Sequence, residues 1–175
     1  TNTYRSEYFP ISQKYIGELP QLIGQSIVIV GPTGSGRRRI IHENIRIAYL
    51  EGTPTYIAIA NPLDPFGLWK QILEDILKPL KLSERTERLI GLEQTLSILL
   101  PDTICTEKVH SSHINIEQLT NAIEIVLHRS GGLCIALLNL DQADVGSLEI
   151  AKEIWESQSF SIWGVSTKPF DWSET

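Results

Sequence analysis

The stretch Gly31-Pro32-Thr33-Gly34-Ser35-Gly36-Arg37-Arg38 constrains the fold of this chain more than any other. It follows an unbroken run of β-branched residues, Ile27 to Val30, which is typical of a strand buried in a parallel sheet. It precedes a segment with helical spacing of apolar residues, Arg37 to Leu50. The glycines allow a tight backbone turn because they carry no Cβ. The sequence therefore predicts a strand, a tight turn and a helix in immediate succession.

Strand-like and helix-like segments alternate along the rest of the chain. This alternation indicates an α/β fold, a three-layer sandwich with a mainly parallel sheet and helices on both faces. With 175 residues, we expect a single domain with a substantial core. We predict an N-terminal helical segment within 1–24, a core at 25–167, strands at 27–30, 55–60, 133–140 and 160–166, and helices at 37–50, 66–77, 83–100, 116–130 and 147–157. We expect Asp64 to cap the helix at 66–77, and Asn115 with Gln118 to form the capping pair of the helix at 116–130.

Composition and charge narrow the classes of partner. The net charge of −6 argues against a broad nucleic-acid-binding surface, although Arg37, Arg38 and Arg39 form a local basic patch, so a nucleic-acid contact stays possible. No apolar run reaches the ~20 residues that span a membrane, and residues 1–10 do not resemble a signal peptide. We therefore expect a cytoplasmic protein without a membrane partner.

The two cysteines do not suggest a disulfide framework. Cys134 lies inside an apolar run, as a small core residue would, and a reducing compartment is the simpler interpretation. Cys105 lies with His110 and His113 on a polar stretch, but their spacing fits no four-ligand zinc set. We favour a solvated loop there.

The glycine-rich stretch also has the spacing of a phosphate-binding loop, G-x-x-x-x-G-K-[ST]. Gly31 and Gly36 occupy the two glycine positions, so backbone N–H groups and the positive end of the following helix would converge on an anion. Arg37 stands at the Lys position and keeps the charge, whereas Arg38 stands at the Ser/Thr position and offers no metal ligand. The alternative is a glycine-rich turn that binds nothing.

A second polar motif, Asp141-Gln142-Ala143-Asp144, follows the third predicted strand. A carboxylate at this position of a phosphate-loop protein holds Mg²⁺. An aspartate that merely caps the turn is the alternative, and it would be favoured if the motif stood alone. Because the glycine-rich loop precedes it with strands in the right order, we favour Asp141 as a metal-binding residue.

These motifs, together with Val165-Ser166-Thr167, resemble those of P-loop ATPases of the additional-strand class, and the AAA+ and STAND ATPases of the origin-recognition type are the closest groups. The resemblance implies a strand order of 55–60, 133–140, 160–166 and 27–30. It also implies that strand 27–30, the first in the chain, is central in the sheet and lies beside the strand that ends in Thr167. It implies ATP or ADP bound by residues 31–38, Asp141 at the metal and Ser166 or Thr167 sensing the terminal phosphate. The helical lid of this class would be missing.

Three departures from the family pattern affect three parts of phosphoryl transfer. Arg37 replaces the Lys and Arg38 replaces the metal-binding hydroxyl, so Mg²⁺ should add little to the binding of the nucleotide. Gln142 replaces the Glu that polarises water and could only orient it. We therefore predict an ATP-binding regulatory or assembly module, with protein partners or self-assembly, that hydrolyses slowly or not at all. The alternative is a non-catalytic interaction module that keeps the fold without binding nucleotide.

Overall fold

The computed structural model of the protein describes residues 22–101, 103–104, 115–131 and 134–169. Within these ranges the sheet contains four strands, and all of their pairings are parallel. The strands lie in the spatial order β1, β4, β3, β2, which confirms the predicted order. In chain order they are β1 (Ile27–Val30), β2 (Thr55–Ile59), β3 (Cys134–Leu138) and β4 (Ser161–Ser166).

The position of β1 differs from the central one that the resemblance implied. Within the described residues β1 pairs only with β4, so it forms one edge of the sheet. Three of its four residues are only partly buried, whereas every residue of β3 is buried. A strand becomes central only when another strand pairs with its second edge, and the described part of the chain supplies none.

Helices cover both faces of the sheet. The helices are α1 (Arg37–Leu50), α2 (Gly67–Leu77), α3 (Leu82–Leu89), α4 (Glu93–Leu96), α5 (Ile116–Arg129) and α6 (Val145–Ser157). One apolar cluster joins α1 to the sheet through Ile41 and Trp163, and a larger one joins α2, α5 and α6 to the other face. The alternating side chains of β3 divide between these clusters, as the period of a strand requires. The protein is therefore an α/β fold with helices on both sides of a parallel sheet.

Three local predictions need correction. The helix expected at 83–100 is two short helices, because Gly91 has a φ of 78° and interrupts the helical path. Asp64 does not cap α2, whose N-cap is Phe66; the Asp64 carboxylate instead pairs with Lys70 at 2.8 Å. Strand β3 ends at Leu138, so Asp141 lies in a separate 3₁₀ turn, Leu140–Gln142.

Some predictions fall outside the described residues. Most of the N-terminal helical segment lies there, and Leu22 to Gly24, which the structure describes, are not helical. Cys105, His110 and His113 also lie outside, as does Leu133 at the start of the third predicted strand. Among the residues that are described, no helix has the length and apolar character needed to cross a membrane.

Candidate functional site

The glycine-rich loop forms a turn with unpaired backbone donors at the N-terminus of α1. Gly34 and Gly36 have φ angles of 85° and 84°, a conformation that L-residues with side chains rarely adopt. The N–H of Ser35 closes the turn onto the carbonyl of Pro32 at 3.2 Å. Among the described residues, no acceptor is bonded to the backbone N–H groups of Gly34, Gly36 and Arg37. The loop therefore offers several donors at the positive end of a 14-residue helix.

Arg37 turns back from the helix into the protein. The residue is only 9% exposed, and one guanidinium nitrogen donates a hydrogen bond to the carbonyl of Ser166. On the way it passes Gly31, where an added Cβ would lie 3.5 Å from the Cδ of Arg37. No carboxylate of the described residues pairs with this guanidinium. The structure thus places a buried cation beside the loop with one neutral acceptor.

Ser166, the last residue of β4, connects this arginine to the loop backbone. Its carbonyl also accepts the N–H of Gly31 at 3.2 Å. Its hydroxyl is buried and donates to the carbonyl of Lys168 at 2.7 Å. The ends of β1 and β4 and the start of α1 therefore meet at one residue.

The hydroxyl of Ser35 is a second orphaned group in the loop. Its oxygen is buried and, within the described part of the chain, has no hydrogen-bond partner. It lies on the Gly31 side of the turn, 3.0 Å from where a Cβ of that glycine would stand. A buried hydroxyl is normally satisfied, so an unpaired one marks a position where a polar ligand would be favoured.

The carboxylate of Asp141 is hydrogen-bonded to Thr167, the residue that follows β4. It accepts the Thr167 hydroxyl at 2.6 Å and the Thr167 backbone N–H at 3.0 Å, using a different oxygen for each. Partial burial alone would raise the pKa of Asp141. The two bonds from Thr167, with help from the charge of Lys168, outweigh this effect and hold the pKa below its ordinary value. Asp141 is therefore an ionised carboxylate whose two oxygens both have protein donors.

Arg38 contacts the end of β3 through a residue that the sequence analysis did not select. Its guanidinium donates to the side-chain oxygen of Asn139 at 2.9 Å. Asn139 directly follows β3 and has a φ of 60°, a left-handed conformation that Asn tolerates better than most residues. A polar residue within the apolar run 137–140 was the sequence signal that could have identified it.

The donor set does not fit Mg²⁺. Oxygen ligands are what this ion requires, and the position that would supply a hydroxyl is the cationic Arg38. Asp141, the carboxylate that the described residues bring to the site, already accepts a hydrogen bond at each oxygen. In the described ranges, no group of three or more His, Cys, Asp or Glu residues could hold a metal ion. We therefore assign no step at this site to a divalent cation.

The predicted site residues thus fall into two groups. The loop 31–38, Asp141 and Thr167 come together at the carboxyl end of the sheet through the contacts of Ser166 and Asn139. Gln142 stands apart: it is exposed, its backbone N–H donates to the carbonyl of Asn139 at 2.8 Å, and its side chain contacts no described hydrogen-bond partner. No known family model matches this sequence, and no curated protein matches it either. Its function must therefore be inferred from the geometry of this site.

Proposed function

We propose that this protein binds a nucleoside di- or triphosphate, ATP or ADP, through the loop 31–38. We further propose that it acts as a P-loop module of the AAA+/STAND type that regulates an assembly, with little or no hydrolysis. The observation that carries the binding proposal is the buried guanidinium of Arg37, which has no carboxylate partner among the described residues and lies beside unpaired loop N–H groups.

The first argument is electrostatic. A buried charge costs several kcal/mol unless an opposite charge or several hydrogen bonds compensate it. Arg37 has five N–H donors, and within the described residues the Ser166 carbonyl is its one acceptor. A phosphate at the loop would supply the missing negative charge. Removing Arg37 should therefore weaken anion binding more than removing an exposed arginine nearby.

The second argument is topological. The loop connects the carboxyl end of a parallel strand to the N-terminus of a helix, where open α/β sheets bind ligands. The free N–H groups of Gly34 and Gly36 provide donors that do not depend on side-chain identity. The hydroxyl of Ser35 is an additional donor without a partner in the described chain. These groups suit a phosphate chain better than a single carboxylate.

The regulatory and assembly part of the proposal rests on the family resemblance and on the lost hydrolytic groups. Gln142 is exposed, and its side chain has no hydrogen-bond partner among the described residues. The donor set around Asp141 does not suit a metal. A site that retains phosphate donors without these groups can bind nucleotide and respond to it without turning it over.

Equilibrium dialysis with labelled ATP and ADP tests the proposal on the wild-type chain and on Arg37→Ala. We expect Arg37→Ala to weaken binding by about tenfold, which corresponds to ~1.4 kcal/mol. The matched control is Arg39→Ala, which removes the same charge from an exposed position on the same helix and should change affinity by less than about threefold. Arg37→Lys should retain most of the affinity.

The dependence of affinity on ionic strength and the thermal unfolding of each variant provide the remaining controls. Affinity should fall as ionic strength rises, because the contact is between charges. Asp141→Ala should affect binding less than Arg37→Ala does. Thermal unfolding of each variant separates lost binding from lost structure. Absence of ATP and ADP binding to the folded wild-type chain would contradict the proposal and favour a module that retains the fold without nucleotide.

A further inference from the structure

Arg38 holds a positive charge at the position where a P-loop protein would hold a metal ligand. We infer that Arg38, oriented by Asn139, makes this loop selective for nucleotide that carries no divalent cation. The inference rests on the proposed nucleotide binding and adds the chemical form of the ligand: the free polyphosphate anion rather than its Mg²⁺ complex.

The first step is the geometry of the pair. Arg38 is the second residue of α1, and its guanidinium donates to Asn139 Oδ1 at 2.9 Å. Asn139 is an uncharged partner, so the bond orients the guanidinium without neutralising it. The pair bridges the start of α1 and the end of β3, next to the contact of Arg37 with Ser166 at the end of β4. Two arginine side chains thus lie along the carboxyl end of the sheet.

The second step is the competition between the divalent ion and the two arginine side chains for the negative charge of the polyphosphate. A divalent ion removes two negative charges from a polyphosphate, and the remaining attraction to Arg37 and Arg38 is correspondingly weaker. A guanidinium fixed near the ion would also repel it, because like charges at contact distance repel each other even in water. The free anion gains both arginine contacts and avoids this repulsion.

The third step concerns the carboxylate that could offset this repulsion. Asp141 is the nearest acidic residue in sequence to β3, yet its two oxygens accept hydrogen bonds from Thr167. Each of these oxygens keeps a second lone pair, so the bonds orient the carboxylate toward Thr167 without closing it to an ion. The preference for the metal-free ligand therefore rests on the charge of Arg38, which Asn139 orients without neutralising it.

The experiment measures the dissociation constant of ATP by equilibrium dialysis in excess EDTA and in excess Mg²⁺, at matched ionic strength. For the wild-type chain we expect binding in EDTA to be about threefold or more tighter than in Mg²⁺. Arg38→Ser removes the charge and introduces a hydroxyl, and it should abolish or reverse that preference. Asn139→Ala leaves the charge but removes its partner, and it should reduce the preference.

Arg39→Ala is the matched control and should keep the wild-type preference, because Arg39 is exposed and has no described partner. Wild-type binding that is equal in the two buffers, or tighter in Mg²⁺, would overturn this inference and leave the proposed nucleotide binding intact. An unchanged preference in Arg38→Ser would likewise exclude Arg38 as its cause. If ATP binds in neither buffer, the proposed function fails, and this inference fails with it.

Discussion

Asp141 accepts two hydrogen bonds from Thr167, one from its hydroxyl at 2.6 Å and one from its backbone N–H at 3.0 Å. The two residues follow β3 and β4, which are adjacent in the sheet. The contact therefore ties the 3₁₀ turn after β3 to the end of β4. The carboxylate that the sequence suggested as a metal ligand thus also links two neighbouring strand ends through its hydrogen bonds to Thr167.

This contact makes stability depend on pH in a defined direction. The pKa of Asp141 in the folded protein lies below the ordinary value of 3.8. The ionised carboxylate therefore stabilises the fold above pH 3.8, and this stabilisation is lost as the pH falls through the folded pKa. We expect Asp141→Asn to be less stable than wild type near neutral pH. The difference in free energy of unfolding should shrink below about pH 4.

Chemical denaturation at several pH values measures this difference. Thr167→Val provides the second arm of a double-mutant cycle, because it removes the hydroxyl while keeping the backbone N–H. The cycle should show a coupling between the two side chains near neutral pH that weakens in acid. A difference between wild type and Asp141→Asn that is the same in acid as at neutrality would contradict the assignment.

Gly164 lies in β4 where a side chain cannot be accommodated without displacement. A Cβ there would be 2.5 Å from Leu140 Cδ1 and 3.0 Å from Val28 Cγ2. We expect Gly164→Ala to destabilise the protein by about 1–3 kcal/mol, the usual cost of overpacking a core. Val145→Ala, at a 66% exposed position, is the control and should change stability by less than about 0.5 kcal/mol. Equal effects of the two substitutions in denaturant unfolding would argue against tight packing at Gly164.

Asn44 satisfies a backbone donor from outside its own helix. Its fully buried side chain accepts the N–H of Leu22 at 2.9 Å and donates to the carbonyl of Ile40 at 3.0 Å. Asn44→Ala leaves the Leu22 N–H without this acceptor, and we expect a loss of about 1–3 kcal/mol in the free energy of unfolding. Glu43→Ala, which breaks only a surface pair with Arg46, should cost less than about 1 kcal/mol. If the two variants unfold at the same denaturant concentration, the Asn44 bonds contribute little.

Hydrolysis should be slow, because the groups that would promote it are absent or turned to other contacts. We expect steady-state phosphate release from ATP to stay below ~1 s⁻¹, with or without Mg²⁺. Asp141→Ala should leave the remaining rate unchanged if the carboxylate has no catalytic contact. A rate of ~1 s⁻¹ or faster that Asp141→Ala abolishes would show that the departures at Arg37, Arg38 and Gln142 are compensated.

The elements that the sequence determined are those governed by local periodicity and local capping. The bounds predicted for β1 and α1, 27–30 and 37–50, agree with the structure. Asn115 caps α5, accepting the Gln118 N–H at 3.1 Å as the pattern indicated. The alternation of segments also predicted a parallel sheet, whereas its strand order was implied by the family resemblance alone. These features depend on residues close together in the chain or on which faces must be buried.

Tertiary structure decided which partner each polar side chain found. Arg37 bonds to Ser166, which is 129 residues away, and Arg38 bonds to Asn139, which is 101 residues away. A flexible charged side chain has many possible acceptors, and only the assembled sheet brings one of them within reach. The same reason applies to Asp141, because Thr167 becomes its neighbour only once β3 and β4 pair. Sequence could therefore identify the loop and its charges, but not the contacts that orient them.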